Sequence, residues 1–288
     1  MQQYETIDLN DYIQTGEGGT AISYSKKDGK TLAKLFSPGM GSETAEREFL
    51  VNKIVYEMGF PTPKPIRLVT DGTRYGAEYE LVQGKRSFTR IISQEPEQLE
   101  PLSIKFAQLA KELHSKPADT TSLPSMKELV RAVILLYKTL PEDIREKALL
   151  FLDHIPEVTT CLHGDLHIGN IITDGERNLW IDVGDFAYGA PEWDLGMLYY
   201  SSNFMTEQRC DSIFHLTPDV LKEHWKIFAK AYYGLEDEAS LQEKEQALFP
   251  YFAVKLIYVM GKLGYGVNPP SDRMQFILRR SLGLCENS

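Results

Sequence analysis

The hydrophobic and polar positions fall into two regimes. Up to about residue 84 the apolar residues come in short runs of strand length, broken by Gly, Asp and Thr. Residues 6 to 36 read as three such strands. The third, Thr31-Leu32-Ala33-Lys34-Leu35-Phe36, sets Lys34 between Leu32 and Phe36 on one face. A helix follows from Ser42, a fair N-cap, to about Met58, with acids at its positive end. Pro61-Thr62-Pro63-Lys64-Pro65 closes it. Two further strands, Ile66–Val69 and Tyr75–Val82, flank the Thr70–Arg74 turn. These are five strands with one helix.

After Gly84 the period becomes helical. Leu102, Phe106, Leu109 and Leu113 line one helix, and His114 near its end reads as a C-terminal cap. Leu123–Leu140 is broadly helical, and Pro141 opens another helix. Pro191 begins a helix holding Asp194, and Thr217-Pro218 begins one through Tyr233. Residues 238–265 and 271–284 continue the pattern. The reading is an α+β chain with an N-terminal lobe at 1–84 and a C-terminal lobe at 85–288. The two lobes are expected to form a cleft.

One stretch breaks the helical regime. Between Cys161 and Leu195 stand CLHGDLHIGNIITDGERNLWIDVGDFAYGAPEWDL. Ile171-Ile172 and Leu179-Trp180-Ile181 read as strands of a hairpin turning at Thr173–Asn178. Asp165, Asn170 and Asp182 then belong at one end of it. An Asn amide and an Asp carboxylate suit a hard cation such as Mg²⁺, which fills its other positions with water and phosphate oxygens. A carboxylate five residues before the Asn suits a proton acceptor for an attacking hydroxyl. Base Asp, Asn and a second Asp make the constellation of phosphoryl transfer.

His163-Gly164-Asp165-Leu166-His167-Ile168-Gly169-Asn170, followed by Ile181-Asp182-Val183-Gly184-Asp185-Phe186 and Pro191-Glu192-Trp193-Asp194-Leu195, resembles the aminoglycoside phosphotransferase and choline kinase-like family. These are small-molecule relatives of the protein kinases. The resemblance implies a protein kinase-like two-lobe fold, with a small antiparallel five-stranded lobe and a larger, mostly helical one. It implies Asp165 as catalytic base, Asn170 and Asp182 as magnesium ligands, His163 as loop anchor and Asp194 as loop brace. His167 stands where protein kinases carry a catalytic-loop Lys; it either donates to the γ-phosphate or orders the loop. Lys34 would hold the nucleotide phosphates and pair with Glu48, with Glu46 as rival. The Gly16-Glu17-Gly18-Gly19-Thr20 turn would cover the phosphates, with Gly16, Gly18, Gly19 and Thr20 in contact. Connector residues Glu80 and Val82 would bind the adenine edge. The expected cofactors are ATP or GTP with Mg²⁺, and the acceptor is a small-molecule hydroxyl.

Other readings compete. Alternating His163, Asp165 and His167 would suit a transition metal in a hydrolase. A catalytically silent nucleotide-binding protein is a third reading. Ala190-Pro191-Glu192 imitates a protein-kinase motif but follows Asp182 too closely for a peptide platform, which argues against a protein substrate. Tyr199, Tyr200, Trp225, Tyr232 and Tyr233 could cage a quaternary ammonium, and the acids at 235–238 and 243–245 could bind a cation. A packed core and a solvated helix start account for them better.

Composition narrows this only a little. The 288 residues carry a net charge of −10 with no basic stripe, which disfavours nucleic acid and tolerates a cationic substrate. No run is long and apolar enough for a membrane span, and the N-terminus shows no secretory signal. The odd set Cys161, Cys210 and Cys285 makes no disulfide framework and fits a cytoplasmic protein.

Overall fold

A computed structural model describes residues 3–17, 20–262 and 265–284. In chain order the strands and helices begin β1 (Glu5–Thr6), β2 (Tyr12–Glu17), β3 (Ala21–Lys26), β4 (Thr31–Phe36), α1 (Ser42–Glu57), β5 (Pro65–Thr70), β6 (Tyr75–Glu80) and β7 (Arg86–Ser87). Helices α2 (Phe88–Gln94), α3 (Leu99–Ser115), α4 (Met126–Leu136) and α5 (Glu142–His154) follow. Then come β8 (Thr160–Leu162), β9 (Ile171–Thr173), β10 (Asn178–Trp180) and β11 (Ala187–Gly189). The chain continues through α6 (Glu192–Asn203), α7 (Glu207–Phe214), α8 (Pro218–Tyr233), α9 (Glu238–Lys262) and α10 (Asp272–Ser281).

The chain divides into two compact units. The first comprises residues 1–88 and 169–186; the second comprises 89–168 and 187–288. Expected as one break near residue 84, the first division falls at residue 88. The first unit also recruits a later segment, because β7 pairs antiparallel with β9 and β9 with β10.

The first unit is built on a sheet ordered β1-β5-β6-β4-β3-β2. The five anticipated strands are all present and antiparallel. Two-residue β1 joins them in parallel beside β5, too short to leave a sequence period. Strand alternation sorts the core onto two faces. Ala21, Phe36, Leu68, Ala77 and Tyr79 pack with Ala45 of α1 on one face. Ile7, Tyr12, Ala33, Leu35 and Val69 pack on the other.

That second face also buries Glu78, only 1% exposed. Its carboxylate accepts from Tyr12 Oη at 2.7 Å, Thr31 Oγ1 at 2.7 Å and Arg67 Nε at 2.8 Å. Burial pushes its pKa up, but those hydrogen bonds and the Arg67 charge outweigh it and hold the acid below the usual range. One side chain thus ties together β2, β4, β5 and β6.

The second unit is a helical assembly in which α3 packs on α8, α4 on α9, and α6 on both α8 and α9. Its two-stranded sheet pairs β8 with β11, so Thr160 faces Gly189 and Leu162 faces Ala187. Helix α8 starts as the sequence implies, with the Thr217 hydroxyl accepting from Val220 N and Pro218 in the first turn. Trp193, Trp225, Phe106, Phe228 and Phe252 fill the interior. No described helix is long and apolar enough to cross a membrane.

Candidate active site

In the first unit the site starts from strand register. Gly16 pairs with Ser23, Ser23 with Lys34, and Lys34 with Ala77, so these four stand in one row across the sheet. Partners across a ladder share a face, which sets Lys34 on the α1 side. Helix α1 presents Glu48 to it: Lys34 Nζ donates to Glu48 Oε1 at 2.8 Å and to Asp182 Oδ1 at 2.7 Å. Burial lowers the Lys34 pKa, yet the Asp182 and Glu48 carboxylates more than reverse this and leave it above the ordinary lysine range. Glu46, the rival partner, lies against Tyr4 instead.

Asp182 follows β10 on backbone of the left-handed region, φ 54° and ψ 41°. An L-residue rarely adopts it, though Asp tolerates it better than most. That turn lets the chain curl into the short helical turn Val183–Asp185. Gly184 then comes so close to α1 that a Cβ there would lie 2.7 Å from Glu48 Cγ. The glycine of the IDVGD run is therefore a requirement of the Lys34–Glu48 pair. The sequence showed this glycine but not the close approach. Asn170 is buried, and its carbonyl accepts from Ile181 N at 3.0 Å, which ties it to the residue before Asp182.

The connector sorts its main-chain groups. Glu80 N donates to Lys64 O at 2.9 Å and Leu81 N to Lys30 O at 3.1 Å, while the Glu80 carboxylate receives Arg177. Among the described residues, Val82 makes no main-chain hydrogen bond. Its side chain joins Ile172 and Leu179 in an apolar cluster with Ile181 against it. Thr20 is exposed, and its carbonyl accepts from Ser37 N at 2.8 Å. Gly18 and Gly19 lie outside the described residues.

The second unit holds the HGD loop. Asp194, only 1% exposed, gathers it: Oδ2 accepts from His163 N at 2.7 Å and Oδ1 from Gly164 N at 3.0 Å. Gly164 sits at φ 83°, a turn a side chain would strain. His114 Nε2 lies 3.1 Å from the same carboxylate, and its Nδ1 lies 2.9 Å from Tyr232 Oη. His114 is thus a buried bridge between α8 and Asp194, not the helix cap its position suggests. Burial would raise the Asp194 pKa, but the hydrogen bond and charge of His114, with the charges of His163 and Lys255, keep it below the usual carboxylate range. Lys255 is itself buried on α9, 4.8 Å from the Tyr258 ring centroid.

Asp165 leaves this framework toward solvent, its side chain 62% exposed. Its N–H donates to His163 Nδ1 at 3.3 Å. His167 Nε2 stands 3.8 Å from Asp165 Oδ2, and its ring meets Phe214 edge-on at 5.2 Å. The metallohydrolase arrangement does not form. His163 is fully buried, and no group of three His, Cys, Asp or Glu among the described residues is placed to hold a metal. Cys161 is a buried thiol whose pKa burial raises to about 11, so it is no nucleophile.

Some of the residues weighed for a cation are used in structure, as expected. Tyr199 and Trp225 are buried core, with Trp225 Nε1 donating to Glu245 Oε1 at 2.6 Å. Asp237 caps the start of α9 by accepting from Ser240 N at 2.8 Å.

Residues 21–214 match the model of the phosphotransferase enzyme family. The chain belongs to that family. It is accordingly an enzyme of the small-molecule kinase type. No curated protein matches it at a significant level. Solved structures share its fold at low identity. An aminoglycoside phosphotransferase APH(4)-Ia, in ternary complex with AMP-PNP and hygromycin B, superposes with a TM-score of 0.63 at 12% identity, covering 96% of this chain and 95% of that one. The streptomycin-ATP-APH(2'')-IIa ternary complex gives 0.57 at 18% identity, covering 96% and 92%. An aminoglycoside-3'-phosphotransferase of type VIII gives 0.56 at 17% identity, covering 85% and 93%.

Proposed function

We propose that the enzyme transfers the γ-phosphate of ATP to a hydroxyl of a small molecule, with Asp165 as base. The observation that carries this reading is the junction at Lys34. Its ammonium is held by a helix carboxylate and by Asp182, which is remote in sequence. Such a lysine is fixed and charged, ready for phosphate oxygens. Val82 would offer its unspent N–H and C=O to the base edge, above the Ile172–Leu179 cluster. Glu80 has no N–H left for that task.

The oxygen donors of Asn170 and Asp182 fit Mg²⁺, which asks for few protein ligands. When bound, the ion would neutralise charge on the transferring phosphate. Asp165 would orient the acceptor hydroxyl and take its proton, with its loop pinned by Asp194. The exposed Asp165 carboxylate is open to a substrate. His167, braced on Phe214, would order that loop. The acceptor class extends from aminoglycosides to amino alcohols and sugars; Tyr199, Trp225 and Asp237, which were weighed for a cation, are taken up by packing and capping.

The deciding experiment is ATP and GTP consumption with Mg²⁺ over a panel of aminoglycosides, amino alcohols and sugars. Acceptor-dependent nucleotide turnover is expected. Nucleotide binding with no turnover over the whole panel would favour a silent binding protein.

A further inference from the structure

Away from Lys34, the first unit carries a groove of about 500 Å³ between α1 and β5. Small-molecule sites span about 300–1,000 Å³, so this one is large enough for a ligand. Phe49, Lys53, Tyr56 and Glu57 line it from α1. Their spacing sets them on one face of the helix. Glu48 falls about 100° round the helix from Phe49, so the groove is separate from the Lys34–Glu48 pair. The opposite wall is Lys64 and the start of β5, with Ile66 and Leu68. There the strand slips register. Pro65 faces Tyr79 and Arg67 faces Glu78, which leaves Ile66 as the extra residue of a bulge.

Two properties of the lining define what would fill it. The first is apolar exposure. Tyr56 is 39% exposed and Ile66 43%, and they share the groove with half-buried Phe49. Large apolar side chains gathered in an open concavity mark an interaction site. The second is charge. The chain as a whole carries −10, yet the groove is lined by three cations and one acid, Glu57. Arg67 is taken by Glu5 and Glu78. Lys53 stands 3.8 Å from Glu57, too far for a hydrogen bond, with its side chain 56% exposed. Among the described residues no hydrogen bond or ion pair engages the Lys64 ammonium. Each wall therefore brings one ammonium beside apolar side chains. An aromatic ring bearing an anionic group is complementary to both features.

We propose that the α1–β5 groove binds an aromatic acid, its ring against Phe49, Tyr56 and Ile66 and its carboxylate or sulfonate met by Lys53 and Lys64. The site is built from the first unit alone and uses none of the residues assigned to the nucleotide or the acceptor. It stands or falls independently of the phosphotransfer reading.

The test is a fluorescence titration of the full-length protein with two dyes: anilinonaphthalene sulfonate, an aromatic anion, and phenylnaphthylamine, its uncharged counterpart. The proteins are the wild type, the double variant Lys53→Gln with Lys64→Gln, and Ile66→Glu. The wild type is expected to bind the sulfonate dye. The double variant should weaken that binding about five- to tenfold, as loss of two exposed ion pairs does, and leave the uncharged dye unchanged. Ile66→Glu should weaken both dyes, the sulfonate more. A wild type that binds no sulfonate dye overturns the proposal. So does a signal that neither variant changes, because the dye then sits elsewhere. Equal weakening of both dyes in the double variant overturns the preference for an anion. Should Ile66→Glu fail to fold, the double variant at its exposed lysines still decides.

Discussion

Single residues carry the chemistry, and their substitutions separate the roles. Asp165→Asn keeps the size and removes the carboxylate proposed to accept the proton. Turnover is expected to fall by at least about 10³-fold, while the ATP dissociation constant stays within about twofold. Steady-state kinetics beside a binding titration would check this. Gly184→Ala is a structural probe of the Lys34 junction. Its Cβ would meet Glu48 Cγ at 2.7 Å, so Glu48 must yield. Overpacking of this kind costs about 1–3 kcal/mol. A lowered melting temperature together with weaker ATP binding is expected. At this scale the family resemblance singled out Lys34, Asp165 and Asp182 and left Glu48 with Glu46 as rival, and Lys34 pairs with Glu48 and Asp182. It did not reveal the use of His114 or the burial of Glu78 and Lys255. Their partners lie far along the chain, and a local reading assigns a polar residue to solvent or to a cap.

Elements show why the rest was legible. The strands of the first unit alternate cleanly, the hairpin turns on Asp174, and the Thr217-Pro218 start marks α8. Two-residue β1 and β7 were not legible, since a period needs more than one repeat. Asp194 joins elements that no pattern links: α6 carries it, α3 supplies His114, and α8 supplies Tyr232 behind that histidine. His114→Ala would leave the buried carboxylate short of a donor and should cost about 3 kcal/mol. Chemical denaturation would measure it. The pH dependence follows from the depressed Asp194 pKa. A carboxylate that is more acidic when folded adds stability above its unfolded pKa of about 3.9, and that stability is lost as pH falls through the folded value. The gap between wild type and Asp194→Asn should therefore be full at neutral pH and narrow below about pH 4. A gap that widens in acid would contradict the assignment.

For the whole molecule, ligand and fold are linked. A nucleotide that binds only the native protein should raise the melting temperature by mass action, worth about 2.7 kcal/mol at a hundredfold excess over the dissociation constant. Chelating Mg²⁺ should remove much of that gain if Asn170 and Asp182 act through the ion. A melting scan with ATP, with and without chelator, decides it. The family was legible in the sequence because the HGDLHIGN and IDVGDF motifs resemble its own, and the two-lobe fold because the period changes from strand-like to helix-like near residue 84. The division of the chain was not, because it is discontinuous. Residues 169–186 belong with 1–88, so β7 has no strand partner, and Lys34 lacks one of its acids, until that later stretch exists. On a ribosome adding about 5–20 residues per second, the nascent N-terminal part must wait several seconds for its last pieces. Any holding factor or pause site acting on this protein would find its natural moment in that interval.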